Sequence, residues 1–94
     1  MEEILARTAD AFGLTVADLK GNSRAQHIVW ARQAAALILK ECGLGYSLVT
    51  IAQALGRRDH TTIMHALRQA STRRQAEPAY DRRLRLIKES VNYE

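Results

Sequence analysis

The chain has 94 residues, a formal net charge of +4 and one cysteine, Cys42. This length predicts a single domain, residues 1–94, and a lone cysteine excludes an intrachain disulfide. The start Met1-Glu2-Glu3 lacks the basic region and apolar run of a signal peptide, and no stretch is long and apolar enough to span a bilayer. We therefore expect a cytoplasmic protein with no membrane contact.

The charge is unevenly distributed along the chain. Residues 1–20 carry two basic and four acidic side chains, a net of −2, so residues 21–94 hold +6. A basic field of this kind attracts polyanions such as nucleic acids. A solvated charged surface without a ligand is the alternative that charge alone leaves open.

The first half of the chain predicts three helices. Apolar residues recur at helical spacing from Ile4 to Phe12, and Gly13 would end this helix with a Schellman-type stop. Thr15 begins a short helix that runs to about Lys20. A third, longer helix follows up to about Cys42, and it is apolar around most of its circumference, which places it at the centre of the domain.

The second half predicts three more helices, and no segment alternates with the period of a strand. Two of the three lie within residues 47–69, after which the polar, loosely patterned stretch 71–77 is expected to be a connection. Pro78 then starts a closing helix with an apolar face. The predicted fold is all-α, with about six helices around a long central one.

Residues 47–69 predict a helix-turn-helix. Ser47 is a good N-cap for the first helix, and Gly56 ends it. The carboxylate of Asp59 can cap the second helix by accepting from the free amide of Thr61 or Thr62. That second helix is amphipathic, with an apolar stripe formed by Ile63, Ala66, Leu67 and Ala70 and an opposite polar face formed by Thr61, Thr62, His65, Arg68 and Gln69. Such a helix can be offered to an external ligand.

The turn of this motif is one residue longer than in an ordinary helix-turn-helix, because Ile63 follows Gly56 by seven positions. With that lengthened turn, the run from Gly56 to Ala66 closely resembles the signature of the bacterial replication initiator DnaA. The resemblance to the carboxy-terminal DNA-binding domain of this family covers roughly residues 1 to 90. Its other matching segments, in the same order and spacing, are Val16–Leu19, Arg24, Ala31–Gln33 and Ser47–Leu55.

The resemblance implies sequence-specific binding of double-stranded DNA at a DnaA-box-like site, in replication initiation or its regulation. The amino end of the second helix would enter the major groove and bring Asp59, His60 and Thr61 to base edges. Arg24 would insert into the neighbouring minor groove, although a solvated loop cation is its plain alternative. The implied phosphate contacts are Arg32, Gln33, Arg58, Thr62, His65 and Gln69. Reading two grooves with one monomer implies a short, asymmetric site without a dimer.

No catalytic, metal or cofactor site is predicted, and no enzyme is expected. His60 and His65 would lie about 140° apart on a helix, and no third ligand or CxxC accompanies them. Asp59 and His60 are adjacent, and nothing supplies an oxyanion site for a triad. The phosphate-binding loop of an ATPase is missing, whereas full DnaA proteins contain an ATPase.

The chain departs from the DnaA family at several positions that are usually basic. The loop before the long helix contains Asn22, Ala25 and Gln26 at such positions. The fourth position is Gln69, late in the second helix of the helix-turn-helix, here called the recognition helix. Trp30 is also unusual, and we expect it either to pack under that loop or to mark a partner surface. These departures keep an alternative function open: a stand-alone regulator that mimics the initiator's end domain and binds a replication-control protein. The sequence is compatible with an excised domain and with a free-standing protein.

Overall fold

The computed structural model describes residues 1–91, and the regular structure of this part of the chain consists of six α-helices. The last three residues of the predicted domain lie outside the described range. The helices are α1 Glu2–Ala11, α2 Val16–Lys20, α3 Gln26–Glu41, α4 Leu48–Ala54, α5 His60–Ala76 and α6 Pro78–Ser90. Residues 1–91 contain no strand, which confirms the predicted all-α fold. None of the six helices combines the length and apolarity needed to cross a membrane.

The long helix α3 lies at the centre of the domain, as its sequence predicted. The six consecutive side chains from Ala34 to Leu39 are at most 5% exposed. Such burial around the whole circumference requires neighbours on every side, and α3 contacts all five other helices. Alanines at 31, 34 and 35 let these neighbours approach closely, because they leave little side chain between the helix axes.

Local capping motifs set the limits of α1 and α2. At the end of α1 the amide of Leu14 donates to the carbonyl of Ala9 at 2.8 Å, while Gly13 adopts φ +70°. This is the predicted Schellman stop. At the start of α2, the Thr15 hydroxyl accepts from the Asp18 amide at 3.1 Å and the Asp18 carboxylate accepts from the Thr15 amide at 2.9 Å. This reciprocal pair is a capping box.

Helix α5 is longer than the sequence pattern indicated. It continues through residues 71–76, so the expectation of a connection there was wrong. Two arginines on the added turns bind α3: Arg73 Nη1 donates to Gln33 Oε1 at 2.7 Å, and Arg74 Nη1 donates to Glu41 Oε1 at 2.8 Å. Long-range polar contacts therefore stabilise turns that lack an apolar stripe.

The closing helix α6 begins at Pro78, which occupies its first turn. Its apolar face packs against α1, α3 and α5. The side chains of this face are all buried: Tyr80, Leu84 and Ile87, followed by Val91 just after the helix. The sequence predicted both the start of this helix and its buried face.

Candidate nucleic-acid interface

Helices α4 and α5 form a helix-turn-helix whose turn is closed by backbone hydrogen bonds. The Ser47 hydroxyl accepts from the Thr50 amide at 3.1 Å and caps α4. At the other end of α4, Gly56 adopts φ +69° and the Arg57 amide donates to the Ala52 carbonyl at 2.7 Å. A positive φ of this size is easy for glycine and strained for other residues, so Gly56 sets the direction of the turn.

The amino end of α5 is capped by Asp59 and is open to solvent. Asp59 Oδ1 accepts from the amide of Thr61 at 2.9 Å. This bond is the main reason that the pKa of Asp59 lies below its usual range, and the nearby His60 adds to the effect. All three side chains are exposed. The carboxylate is therefore ionised at neutral pH and can accept a further hydrogen bond from outside.

The exposed face of α5 continues beyond its first turn with Met64, His65 and Arg68. Met64 is 46% exposed, although a methionine in an amphipathic helix usually belongs to the core. Neither Met64 nor Arg68 was among the DNA contacts predicted from the sequence. Helical spacing could have indicated them, because Met64 lies three residues after Thr61 and Arg68 lies three residues after His65.

A cleft of about 160 Å³ lies between α3 and the start of α5. Four of the predicted phosphate contacts line it: Arg32 and Gln33 from α3, and Thr62 and His65 from α5. Its remaining lining residues are Val29, Leu55, Arg57, Ile63 and Ala66. The fold thus gathers donors from two separate helices on one side of the recognition helix.

Two other predicted phosphate contacts do not line this cleft. Arg58 is exposed in the turn between α4 and α5. Gln69 is exposed one turn beyond His65 on α5, on the same face of that helix. Both side chains are therefore accessible to a ligand lying along α5.

Arg32 has a structural role in addition to its place in the cleft. Its Nε donates to the carbonyl of Leu19 at 2.8 Å, and its Nη atoms donate to the carbonyls of Ser23 and Asp18, each at 3.3 Å. These carbonyls belong to the end of α2 and the loop after it, so Arg32 satisfies acceptors that a helix end leaves unpaired. Burial, and then the charge of Arg57, lower the pKa of Arg32, although an arginine remains protonated in proteins. Three of its five N–H groups are used in this way, and the other two make no hydrogen bond within residues 1–91.

Arg57, in the turn of the helix-turn-helix, also binds the loop that follows α2. Its Nη2 donates to the carbonyl of Gly21 at 2.7 Å, and its Nη1 is buried without a hydrogen-bond partner among the described residues. The neighbouring Gly56 approaches α2 so closely that a Cβ there would lie 2.7 Å from the carbonyl oxygen of Lys20. The turn therefore packs directly on the end of α2. The sequence pattern gave no indication of this contact, because Arg57 and Gly21 are 36 positions apart.

Arg24 is exposed in the loop of residues 21–25 between α2 and α3. That loop is held at the Gly21 carbonyl by Arg57 and at the Ser23 carbonyl by Arg32. The Ser23 hydroxyl also accepts from the Ala25 amide at 3.2 Å. Arg24 thus extends from a loop that is anchored both to α3 and to the turn of the helix-turn-helix.

Trp30 is half-buried and packs against α5 and α6. The Arg73 guanidinium lies 4.1 Å from the centre of its ring. The Tyr80 ring meets it edge to face, with 6.1 Å between ring centroids, and the Tyr80 hydroxyl donates to the Trp30 carbonyl at 2.9 Å. Trp30 was expected either to pack under the loop before α3 or to mark a partner surface, and the partners that these contacts give it are Arg73 of α5 and Tyr80 of α6.

The exposed side chains around α5 supply hydrogen-bond donors, acceptors and positive charge. Within residues 1–91, no three His, Cys, Asp or Glu side chains lie close enough together to hold a metal ion. Donors beside an exposed helix amino end are chemically suited to an anionic ligand with hydrogen-bonding edges.

Comparison with known proteins points to one family. The sequence model of the family described as the bacterial dnaA protein helix-turn-helix matches residues 1–70. The chain is similar to three chromosomal replication initiator proteins DnaA: 47% identical over 68 residues to that of Cutibacterium acnes, 45% over 69 to that of Leifsonia xyli subsp. xyli, and 33% over 91 to that of Nostoc punctiforme. These alignments cover 72%, 73% and 97% of the chain but only 13%, 14% and 20% of the relatives.

Proposed function

Because the chain belongs to the bacterial DnaA helix-turn-helix family, we propose that it binds a short, asymmetric double-stranded DNA site resembling a DnaA box. This binding would serve replication initiation or its regulation. The observation that carries the proposal is the position of the cleft between α3 and α5. The cleft gathers four side chains that are able to donate a hydrogen bond, directly beside the exposed, capped amino end of α5.

In the proposed complex α5 enters the major groove with its amino end first. Asp59 accepts from a cytosine amino group, Thr61 offers a hydroxyl and a methyl that can touch thymine, and His60 donates or accepts. Met64 and Arg68 follow on the same exposed face and extend the contact along the groove. The sugar-phosphate backbone at the edge of the groove then lies along the cleft, where donors fix the register without reading sequence.

The minor groove is contacted by Arg24. An A·T-rich minor groove is narrow and strongly negative, so it attracts an inserted guanidinium. The hydrogen bonds from Arg32 and Arg57 to the loop carbonyls support this role, because they hold the backbone from which Arg24 extends. A monomer that contacts two adjacent grooves selects an asymmetric site.

A fluorescence titration with a DnaA-box duplex and a scrambled duplex of equal length tests the proposal. The box duplex should bind more tightly at moderate salt. Affinity for both duplexes should fall as salt rises, with each neutralised phosphate adding about −0.9 to the slope of log K against log salt concentration. Equal affinity for box and scrambled duplexes at every salt concentration would contradict sequence-specific binding.

Replacing Arg24 by Ala tests the minor-groove contact. Because the minor groove narrows in A·T-rich DNA, the variant should lose more affinity for boxes with A·T-rich flanks than for boxes with G·C-rich flanks. Arg82→Ala is the matched control, since Arg82 is an exposed arginine on α6, outside the proposed interface. An equal loss on both kinds of flank would assign Arg24 to a phosphate instead.

A further inference from the structure

Gln33, one of the residues lining the cleft, has a side chain with two chemically opposite ends. Its amide oxygen only accepts hydrogen bonds, and its NH₂ group only donates. Phosphate oxygens accept, so Gln33 can bind a phosphate only when the nitrogen end is presented to it. An amide that rotates freely presents the wrong end part of the time. Gln33 is therefore suited to bind a phosphate only if another group fixes the orientation of its amide.

Arg73 fixes that orientation from α5. Its Nη1 donates to Gln33 Oε1 at 2.7 Å. A guanidinium has donors and no acceptor, so the oxygen end of the amide must face Arg73. The Nε2 end has no hydrogen-bond partner within residues 1–91 and belongs to a side chain that lines the cleft beside Thr62 and His65.

Arg73 is itself held in place by two aromatic rings. Its guanidinium carbon lies 4.1 Å from the centre of the Trp30 ring and 5.3 Å from that of Tyr80. A guanidinium stacked on a ring keeps its in-plane N–H groups free to donate. The Tyr80 ring is also fixed, because its hydroxyl donates to the backbone carbonyl of Trp30, and burial raises the pKa of that hydroxyl, which keeps it protonated. The two rings meet edge to face, with 6.1 Å between their centroids.

We propose that Arg73 is a positioning residue for DNA binding: stacked on Trp30 and Tyr80, it holds the Gln33 amide with its NH₂ group directed to a DNA phosphate. This inference rests on the proposed function. It gives a role to the unusual Trp30 and to the unexpected last turns of α5. Arg73 supports the contact without touching the DNA itself.

A double-mutant cycle on affinity for the box duplex tests the coupling. Arg73→Met and Gln33→Ala should each weaken binding about five-fold, the effect of one lost hydrogen bond. In the Gln33→Ala background, Arg73→Met should weaken binding only as much as the control Arg82→Met, which removes an exposed charge from α6. If the fold-loss of affinity in the double variant equals the product of the two single fold-losses, the two residues act independently and the proposal is overturned.

Gln33→Glu separates positioning from folding. A glutamate still accepts from Arg73, so the unfolding midpoint should stay at or above that of the unmodified chain. It cannot donate to a phosphate, so affinity for the box should fall well below that of Gln75→Glu, which adds the same charge at an exposed site near the end of α5. Equal affinity of the two glutamate variants would overturn the proposal.

The orientation can also be observed without DNA. In the free protein, Arg73→Met should move the NMR chemical shifts of the two Gln33 side-chain amide protons towards those of a freely rotating glutamine, whereas Arg82→Met should leave them unchanged. Unchanged Gln33 signals in Arg73→Met would overturn the proposal. If the unmodified chain prefers the box and the cycle is multiplicative, only the role of Arg73 fails. If it shows no preference for the box, the proposed function fails as well.

Discussion

Asp59 serves the fold and the proposed DNA contact with the same carboxylate. One oxygen accepts from the Thr61 amide and caps α5, and the exposed position leaves the group open to a base edge. Its lowered pKa means that the cap is fully formed above the ordinary pKa of an aspartate and is lost as pH falls through the folded-state pKa. At neutral pH the carboxylate is therefore present for both roles.

Asp59→Asn should separate these two roles. Asparagine is an equally good N-cap, so the melting temperature should stay near that of the unmodified chain. Preference among box variants should change, because an amide presents a donor as well as an acceptor to the base. Asp59→Ala should lower the melting temperature as well. Thermal unfolding and binding to boxes changed at single base pairs measure the two effects.

Ser47→Ala is the matched control for Asp59. It removes the cap of α4 and should reduce stability by about 1 kcal/mol without changing base preference. If Asp59→Asn melted as early as Asp59→Ala, the carboxylate charge and not the capping geometry would hold the start of α5.

The individual caps were predictable from sequence because each joins residues only a few positions apart. The helix start at Thr15, the Ser47 and Asp59 caps and the stops at Gly13 and Gly56 were predicted and are confirmed. The bonds of Arg57 to the Gly21 carbonyl and of Arg73 to Gln33 join residues 36 and 40 positions apart. A pattern in one helix carries no information about which distant carbonyl or amide its arginines will reach. The roles of the candidate DNA contacts stay predictions.

Among the secondary-structure elements, the contact between α2 and the turn of the helix-turn-helix fixes the position of the first turn of α5 in the fold. Gly56 has a positive φ and also approaches the Lys20 carbonyl closely. Helix α2 has only five residues and little core of its own, so its position depends on such contacts. The first turn of α5 thus depends for its position on contacts with the end of α2, and the sequence pattern did not predict these contacts.

Replacing Gly56 by Ala should reduce stability more than the same change at Gly13. The two glycines have nearly the same φ, +69° and +70°, so both variants lose about 1–2 kcal/mol from backbone strain. A Cβ at Gly13 meets open space, whereas one at Gly56 lies 2.7 Å from the Lys20 oxygen. Urea unfolding gives the difference between the variants, which isolates the close approach. Equal losses would show that the turn moves away from α2 without resistance.

Over the whole molecule, Glu41 connects three helices. From the end of α3 its carboxylate accepts from Arg74 of α5 at 2.8 and 3.1 Å and from Lys88 of α6 at 2.6 Å. The Arg74 hydrogen bonds are the main reason that the pKa of Glu41 lies below its ordinary value of 4.5. A lowered pKa in the folded state means that this stabilisation is present above the ordinary pKa and is lost as pH falls through the folded one.

Glu41→Gln should therefore destabilise the chain at neutral pH by up to about 1 kcal/mol, a small amount because the carboxylate is partly exposed. The difference from the unmodified chain should shrink as pH falls below about 4.5, where the unmodified carboxylate also becomes protonated. Urea unfolding at several pH values measures it. Glu3→Gln, which removes an exposed pair with Arg7, is the matched control and should have little effect. If Glu41→Gln were still less stable than the unmodified chain at low pH, the lost stability would come from packing and not from the carboxylate charge.

The anchored loop of residues 21–25 has a consequence for the spacing of the DNA site. Its carbonyls are bound by Arg32 from α3 and by Arg57 beside the recognition helix, so the separation between Arg24 and the start of α5 is set when the chain folds. On the proposed binding mode, one base pair inserted between the A·T-rich flank and the bases read by α5 moves the two sites apart by about 3.4 Å and rotates them by about 35°. A mobile arm could follow such a change. This chain would lose one contact or the other, so in the proposed binding mode it would read the helical phase between two grooves as well as their sequence.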